Sequence, residues 1–197
     1  NTIKKIKSIV KTGIKEIVLS GINVGDFGSE KENLYKLLLE IEKIDSLRRY
    51  RISSIEPNLL SNEIIRLISK SSKALPHLHI PLQSGSDKIL KDMKRRYNSN
   101  DYLNLINKIT KMIPNICIGV DVIVGFPTET MDDFMKTYNL LEELNISYLH
   151  VFSYSERDNT ESQQFENQVK SDDILFRRRL LQKLSKEKNK KYINKNI

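Results

Sequence analysis

The stretch "DVIVGFPTET" (residues 121–130) sets a carboxylate, Asp121, at the head of an apolar run and closes that run with Gly125, Phe126 and Pro127. A charge on a strand packed on both sides is costly unless something pairs with it. Strand alternation puts Gly119, Asp121, Ile123 and Gly125 on one face and Val120, Val122 and Val124 on the other. The valine face must pack under helices, so Asp121 points into the interior that the strands enclose. There it either takes a structural partner, a neighbouring Ser or Arg, or meets a ligand hydroxyl; the residues alone leave both open.

Similar groups gather at the ends of the other apolar runs: Ser20, Gly21 and Asn23 in "SGINVGDFG", Ser53, Ser54 and Glu56 in "RISSIEP", Gln83, Ser84 and Gly85 in "PLQSG", and Ser153, Tyr154, Ser155, Glu156 and Arg157 in "FSYSERDNT". Glycines admit a ligand close to the backbone, and Ser or Asn side chains can bond hydroxyls or an amino-acid head group. Each is also an ordinary turn residue, and Pro57 holding Glu56 extended can be only a turn device. His77 and His79 alternate within one run with no third ligand nearby in sequence, so no metal is expected on them. Cys117 lies four residues before Asp121, about 13 Å towards the start of the strand, and is expected in the core. As the single cysteine it excludes an internal disulfide and cannot by itself hold zinc or an iron-sulfur cluster. No Ser/His/Asp or Cys/His nucleophile set can be argued from spacing.

Positioning these groups requires a strict alternation of elements. Ile3, Ile6, Ile9 and Val10 mark a helix stopped by Gly13, and "EIVLS" follows as a strand. Leu34, Leu37, Leu38 and Ile41 precede "YRISSIEP"; a helix capped at Ser61 precedes "HLHIPL". Helices from Ser86 and over residues 102–112 precede "ICIGVDVIVG", the most apolar strand. Phe134, Tyr138, Leu141 and Leu144 line a helix before "SYLHVFSYS", and a charged helix starts at Ser171. In that last helix Phe176, Leu180 and Leu184 form the expected buried stripe, with Arg177, Arg178, Lys183 and Lys186 outside it and the Lys/Asn-rich end from Lys186 expected to fray. Five strands with helical crossovers and no hairpin signal predict an α/β fold of parallel β/α units, an incomplete barrel, since a full eight-unit barrel needs about 250 residues.

The chain has 197 residues and is 39% hydrophobic, enough for one domain with a full core. Its first residue is Asn and it enters directly on a helix, so it reads as a piece of a longer protein. No apolar run reaches bilayer length and no signal-peptide core opens the chain, which reads as cytoplasmic with no membrane partner. The net charge of +8 suits a polyanion such as RNA, but a Lys-, Asn- and Ile-rich composition produces the same surplus.

Taken together, "LSGINVGDFG", "RISSIEPNLL", "HLHIPLQSGSDKILKDMKRRY", "GVDVIVGFPTET" and "LHVFSYSERDNT" resemble, in order and spacing, the radical S-adenosylmethionine tRNA methylthiotransferases, over most of the chain. The branch acting on N6-threonylcarbamoyladenosine beside the anticodon is matched better than the isopentenyladenosine branch; a third branch modifies an aspartate of a ribosomal protein. The resemblance implies an open six-unit TIM-type barrel carrying S-adenosylmethionine and a four-iron, four-sulfur cluster, with a second such cluster in a preceding domain and an RNA-binding β-barrel following. Residues 1–170 would be that barrel without its first strand and the Cys-x-x-x-Cys-x-x-Cys loop, and residues 171–197 a basic helix leading towards the RNA-binding domain.

By the same resemblance Ser20, Gly21 and Asn23 match the segment near the cofactor's methionyl amino group, and Glu56, Gln83 and Ser84 match rim positions facing cofactor or substrate. Asp121, Ile123 and Gly125 match the strand beside the adenosine, with Gly125 leaving room for it, and Ser155 and Arg157 lie in the closing loop. The implied reaction cleaves S-adenosylmethionine reductively, removes a hydrogen from C2 of the adenine and installs a methylthio group; the partner is the tRNA anticodon stem-loop, and the electron donor is not specified. Without cluster cysteines this chain is expected not to start that chemistry alone. Two departures stand out: Thr128 replaces the usual Gly of "GFPGET", and "RDNTES" replaces endings such as "RPGTPA". A cluster-free β/α-barrel enzyme for a phosphate or sugar, and a non-enzymatic RNA-binding module built on the basic helix, are the competing readings.

Overall fold

The computed structural model describes residues 1–29, 31–156, 165 and 168–196. Alternation of apolar and polar residues builds two parallel ladders. β1 (Glu16–Leu19) pairs with β2 (Arg49–Ile52), and β3 (His77–His79) pairs with β4 (Cys117–Val124), which pairs with β5 (Tyr148–Ser153). Parallel bridges Tyr50↔Ala74 and Ser54↔His79, with the Ile55 N–H donating to the His79 carbonyl at 3.0 Å, carry the sheet across the gap. The strands therefore stand in chain order, and among the described residues no ladder joins β1 to β5, which leaves the barrel open.

α1 (Thr2–Lys11) precedes β1; between the strands run α2 (Leu34–Glu42), α3 (Asn62–Lys70), α4 (Asp87–Asp92), α5 (Ser99–Met112) and α6 (Met131–Glu143), followed by α7 (Ser171–Asn196). Their starts are encoded locally: Ser61 caps α3 by accepting from the Ile64 N–H, and Asn98 with Asp101 and Thr130 with Asp133 form capping boxes on α5 and α6. Tyr50, Ile52, Leu78, Ile118, Val120, Val122 and Val124 are buried and join the helices' apolar faces in one core. The opposite face, with Val18, Arg49, Arg51, Asp121, Ile123, His150 and Phe152, stays partly or fully exposed. No helix is long and apolar enough to cross a membrane among the described residues.

Three expectations need correction. The run "HLHIPL" is regular only to His79: Pro81 has no N–H and Gln83 has φ +66, so the chain leaves the ladder while Ile80 and Leu82 still donate to the Gly119 and Asp121 carbonyls. In α7 the buried stripe is Arg177, Leu181, Leu184 and Lys188, whereas Phe176 is 50% exposed. Specific partners outweigh hydrophobicity here. Arg177 ion-pairs with Glu129 at 2.6 Å and lies 5.7 Å over the Phe134 ring. Lys188 Nζ donates to the Glu142 and Leu144 carbonyls at the carboxyl end of α6, where a cation complements the helix dipole. Instead of fraying from Lys186, α7 runs to Asn196, with the Tyr192 hydroxyl donating to the Asn115 carbonyl.

Candidate functional site

The carboxyl ends of the strands form a rim. After β1, Ser20 and Gly21 are exposed, and Asn23 opens a short turn where its Nδ2 donates to Asp26 while its Oδ1 is buried without a partner. A buried acceptor left unmet costs about 1–3 kcal/mol, which marks Oδ1 as a place for a ligand donor. After β2, Glu56 is extended ahead of Pro57 as the sequence predicts, and its carboxylate takes Arg95 Nη1 at 2.7 Å. After β3, Gln83 keeps a left-handed backbone, pinned by its N–H to the Asp121 carbonyl and its own carbonyl to the Ile123 N–H, both at 2.9 Å. A non-glycine residue held there stores strain of order 1–3 kcal/mol, a pattern common at binding sites.

The residues that follow turn away from the rim. Ser84 is fully buried, its hydroxyl 3.2 Å from Thr137 Oγ1 and accepting from the Ser86 N–H. The Gly85 N–H donates to Thr137 Oγ1 at 2.8 Å, and a Cβ on Gly85 would sit 2.6 Å from the Thr137 Cα. Ser86 stands at the N-cap of α4 but donates its hydroxyl to Asp133 Oδ1 at 2.7 Å. The stretch "QSGSD" therefore offers only Gln83 to the rim and uses Ser84, Gly85 and Ser86 to dock α4 on α6.

The loop after β4 is built around a buried charge. Glu129 Oε2 accepts from the Gly125 N–H at 2.8 Å and from Arg177 at 2.6 Å, with the two side chains 1% and 5% exposed. Burial pushes the Glu129 carboxyl up, and those two donors oppose it. Gly125 has φ +80, and a Cβ there would fall 2.4 Å from the Ile174 side chain. The space in the direction of a Gly125 Cβ is thus filled by Ile174 of α7. Thr128 has φ +75, an outlier for a β-branched residue; Thr128 Oγ1 donates to Asp92 at 3.0 Å and Lys88 donates to the Thr128 carbonyl. Beside it, burial alone would raise the Asp133 carboxyl, but hydrogen bonds from Ser86, Thr130 and Lys88 hold it at about 2.

Below the rim, the open face carries an aromatic layer. The register Asp121↔His150 on β4 and β5 and His79↔Gly119 on β3 and β4 converges three side chains. His79 Nε2 lies 2.8 Å from Asp121 Oδ1, and the rings of His79 and His150 stack at 5.4 Å. Tyr148 covers Gly119, where a Cβ would meet its ring at 2.4 Å, and its hydroxyl is 3.1 Å from His77 Nε2. Burial first, then Arg51 and His79, lower the pKa of His77. The partner of Asp121 is therefore His79, not Ser84, which faces α6; Arg157 lies outside the described residues. Cys117 is half-buried on this open face rather than in the core. Ser155 is exposed beyond β5.

Four participants escaped the sequence reading. Asp133 was signalled by the box "TMDD", and His150 by its alternation with Tyr148 and Phe152. Glu129 and Arg177 come from segments 48 residues apart, with nothing local to link them.

Residues 1–141 match the model of the radical SAM superfamily. The chain is 44% identical over 170 residues to the threonylcarbamoyladenosine tRNA methylthiotransferase of Bacillus subtilis, covering 85% of this chain and 38% of that protein. It is 42% identical over 172 residues to the tRNA-2-methylthio-N(6)-dimethylallyladenosine synthase of Clostridium tetani, covering 86% and 38%. The Aquifex aeolicus threonylcarbamoyladenosine tRNA methylthiotransferase is 37% identical over 195 residues, covering 98% of this chain and 48% of that protein. The chain thus spans less than half the length of these curated relatives. Among solved structures, coproporphyrinogen III oxidase of Escherichia coli, a radical SAM enzyme, superimposes with TM-score 0.63 at 15% identity over 82% of this chain and 38% of that one. The radical S-adenosylmethionine methyltransferase TsrM of Kitasatospora setae gives TM-score 0.62 at 15% identity over 77% and 28%; at such identities the likeness is one of fold.

Proposed function

The chain belongs to the radical SAM superfamily, and from that premise we propose that it is the barrel portion of a tRNA methylthiotransferase acting on N6-threonylcarbamoyladenosine beside the anticodon. The observation that carries the reading is the 37–44% identity to tRNA methylthiotransferases over 85–98% of this chain. Within that class, two of these three relatives are named for threonylcarbamoyladenosine and one for dimethylallyladenosine, so the latter is the second reading.

S-adenosylmethionine, when bound, supplies the methyl group and the adenosyl fragment of this chemistry. The residues present fit it. The partnerless Asn23 Oδ1 and the exposed Ser20 and Gly21 suit the amino-acid end, and Gln83 and the edge of β4 at Ile123 suit the adenosine. Glu56 would act through its pair with Arg95, and Ser155 and Arg157 from the loop after β5. Ser84 and Gly125 would shape the rim from behind rather than touch the ligand. The family's four-iron, four-sulfur clusters do not fit these residues, since one cysteine cannot ligate them. The whole protein would work in the cytoplasm on the tRNA anticodon stem-loop.

Deletion of the gene, with mass spectrometry of bulk tRNA nucleosides, tests the substrate. Loss of 2-methylthio-N6-threonylcarbamoyladenosine is expected. Loss of the methylthio-dimethylallyl nucleoside instead selects the second reading, and no change in either refutes both.

A further inference from the structure

We propose that His79, Asp121 and His150 form a site for a divalent first-row transition-metal cation on the open face of the sheet. One ligand comes from each of three adjacent parallel strands, and the ligand atoms all lie within 4.8 Å of one another. Metal donors 2.0–2.2 Å from an ion stand roughly 3 Å apart. The 2.8 Å between His79 Nε2 and Asp121 Oδ1 already meets that spacing, and the exposed His150 ring needs only to turn towards them. Two imidazoles and one carboxylate suit Zn²⁺, Fe²⁺ or Co²⁺; Mg²⁺ and Ca²⁺ want all-oxygen sites.

The surroundings fit a site and not a chance meeting of surface groups. The His79 and Asp121 side chains are only 14% and 22% exposed, so their positions are set by the β3–β4–β5 ladder. Tyr148 packs its ring against both histidines, at 6.3 and 5.2 Å. His150 borders solvent and gives the ion a way in, and three protein ligands leave coordination positions open to an oxygen or nitrogen donor from the lumen. Binding through Nε2 would need the neutral His79 ring to carry its proton on Nδ1, so the ion replaces the hydrogen bond to Asp121 and leaves the carboxylate paired with a cation.

The site is distinct from the proposed cofactor rim. Asp121 lies two residues, about 7 Å, below Ile123 on the same face of β4, so the ion would sit deeper in the lumen than the adenosine position, and no cysteine takes part. The inference rests on side-chain geometry alone, so it stands or falls apart from the substrate experiment above.

The test is titration of the metal-free 197-residue chain with Zn²⁺ by calorimetry and with Co²⁺ by visible absorption. One equivalent should bind, with Co²⁺ d–d bands of a low-symmetry nitrogen–oxygen site and no thiolate charge-transfer band. Asp121→Asn and His150→Gln should each weaken binding tenfold or more, whereas His77→Gln, the third histidine of the chain, should leave it unchanged. His150 is exposed, so its replacement keeps the test decisive if the Asp121 variant folds poorly. Dissociation constants weaker than millimolar, a thiolate band, or binding that survives His150→Gln would each overturn the proposal.

Discussion

Replacing Arg177 with Met keeps most of the side chain's length and removes only its charge and donors. The Glu129 carboxylate, 1% exposed, would then keep the Gly125 N–H as its one close donor, in a position where burial already pushes its pKa up. Breaking a buried ion pair from one side costs about 3–5 kcal/mol, because the remaining charge is uncompensated. The lost contact with the buried Phe134 ring adds about 1–2 kcal/mol. Against a typical domain stability of about 5–15 kcal/mol, Arg177→Met should remove about a quarter or more. Removing both charges by Glu129→Leu with Arg177→Met should cost less than the sum of the single changes, with a coupling of about 2–3 kcal/mol. Urea unfolding followed by circular dichroism at neutral pH measures all four corners of the cycle. An Arg177→Met cost below about 1 kcal/mol, or additive single changes, would show that α7 is not seated on the loop after β4 and would refute the reasoning.

Thr128 offers a test of strain. Thr128→Val keeps the left-handed backbone and loses the bond to Asp92, so it should destabilise by about 1 kcal/mol, while Thr128→Gly, which trades that bond for relief of strain, should fall within about 1 kcal/mol of the parent in the same urea assay. Asp133 sets an acid limit. Its folded pKa of about 2 lies below its ordinary 3.8, so its contribution is fully present above about pH 4 and lost as pH falls through about 2. At about 1.4 kcal/mol per pH unit of difference this is worth about 2 kcal/mol, and the parent's advantage over Asp133→Asn should shrink by that amount between pH 5 and pH 2. An advantage independent of pH would mean that the carboxylate is not held by Ser86, Thr130 and Lys88.

The open parallel barrel was legible in the sequence because its signals are local: β4 alternates as a buried valine face against Asp121 and Ile123, and Ser61 and Thr130 cap the helices they precede. The family and the rim's position were legible in the loops. What each rim residue does was not, because that depends on which distant element reaches it. Nothing around Ser84 in the sequence announces that its hydroxyl meets Thr137, 53 positions on. Phe176 looked buried and Arg177 exposed because hydrophobicity predicts the stripe, yet an ion pair across 48 residues decided it. Asp121 was correctly turned towards the interior, but its partner is a histidine one strand away, and strand register cannot be read from sequence alone.

These long-range contacts change what "GFPTET" is for. The superfamily match ends at residue 141, yet the loop after β4 depends on α7, which begins at Ser171. Ile174 fills the space at Gly125, Arg177 neutralises Glu129, and Ser185 both accepts from the Leu149 N–H and donates to its carbonyl on β5. Side chains of α7 thus engage the loop after β4 and the backbone of β5, while its Lys188 grips the far end of α6. An Ala at Gly125 would need Ile174 to move by more than an ångström and would hold a left-handed backbone without glycine's freedom. The glycine at the end of β4 is therefore required by helix docking, and the rim's shape on that side is set from behind, by a helix outside the matched family segment.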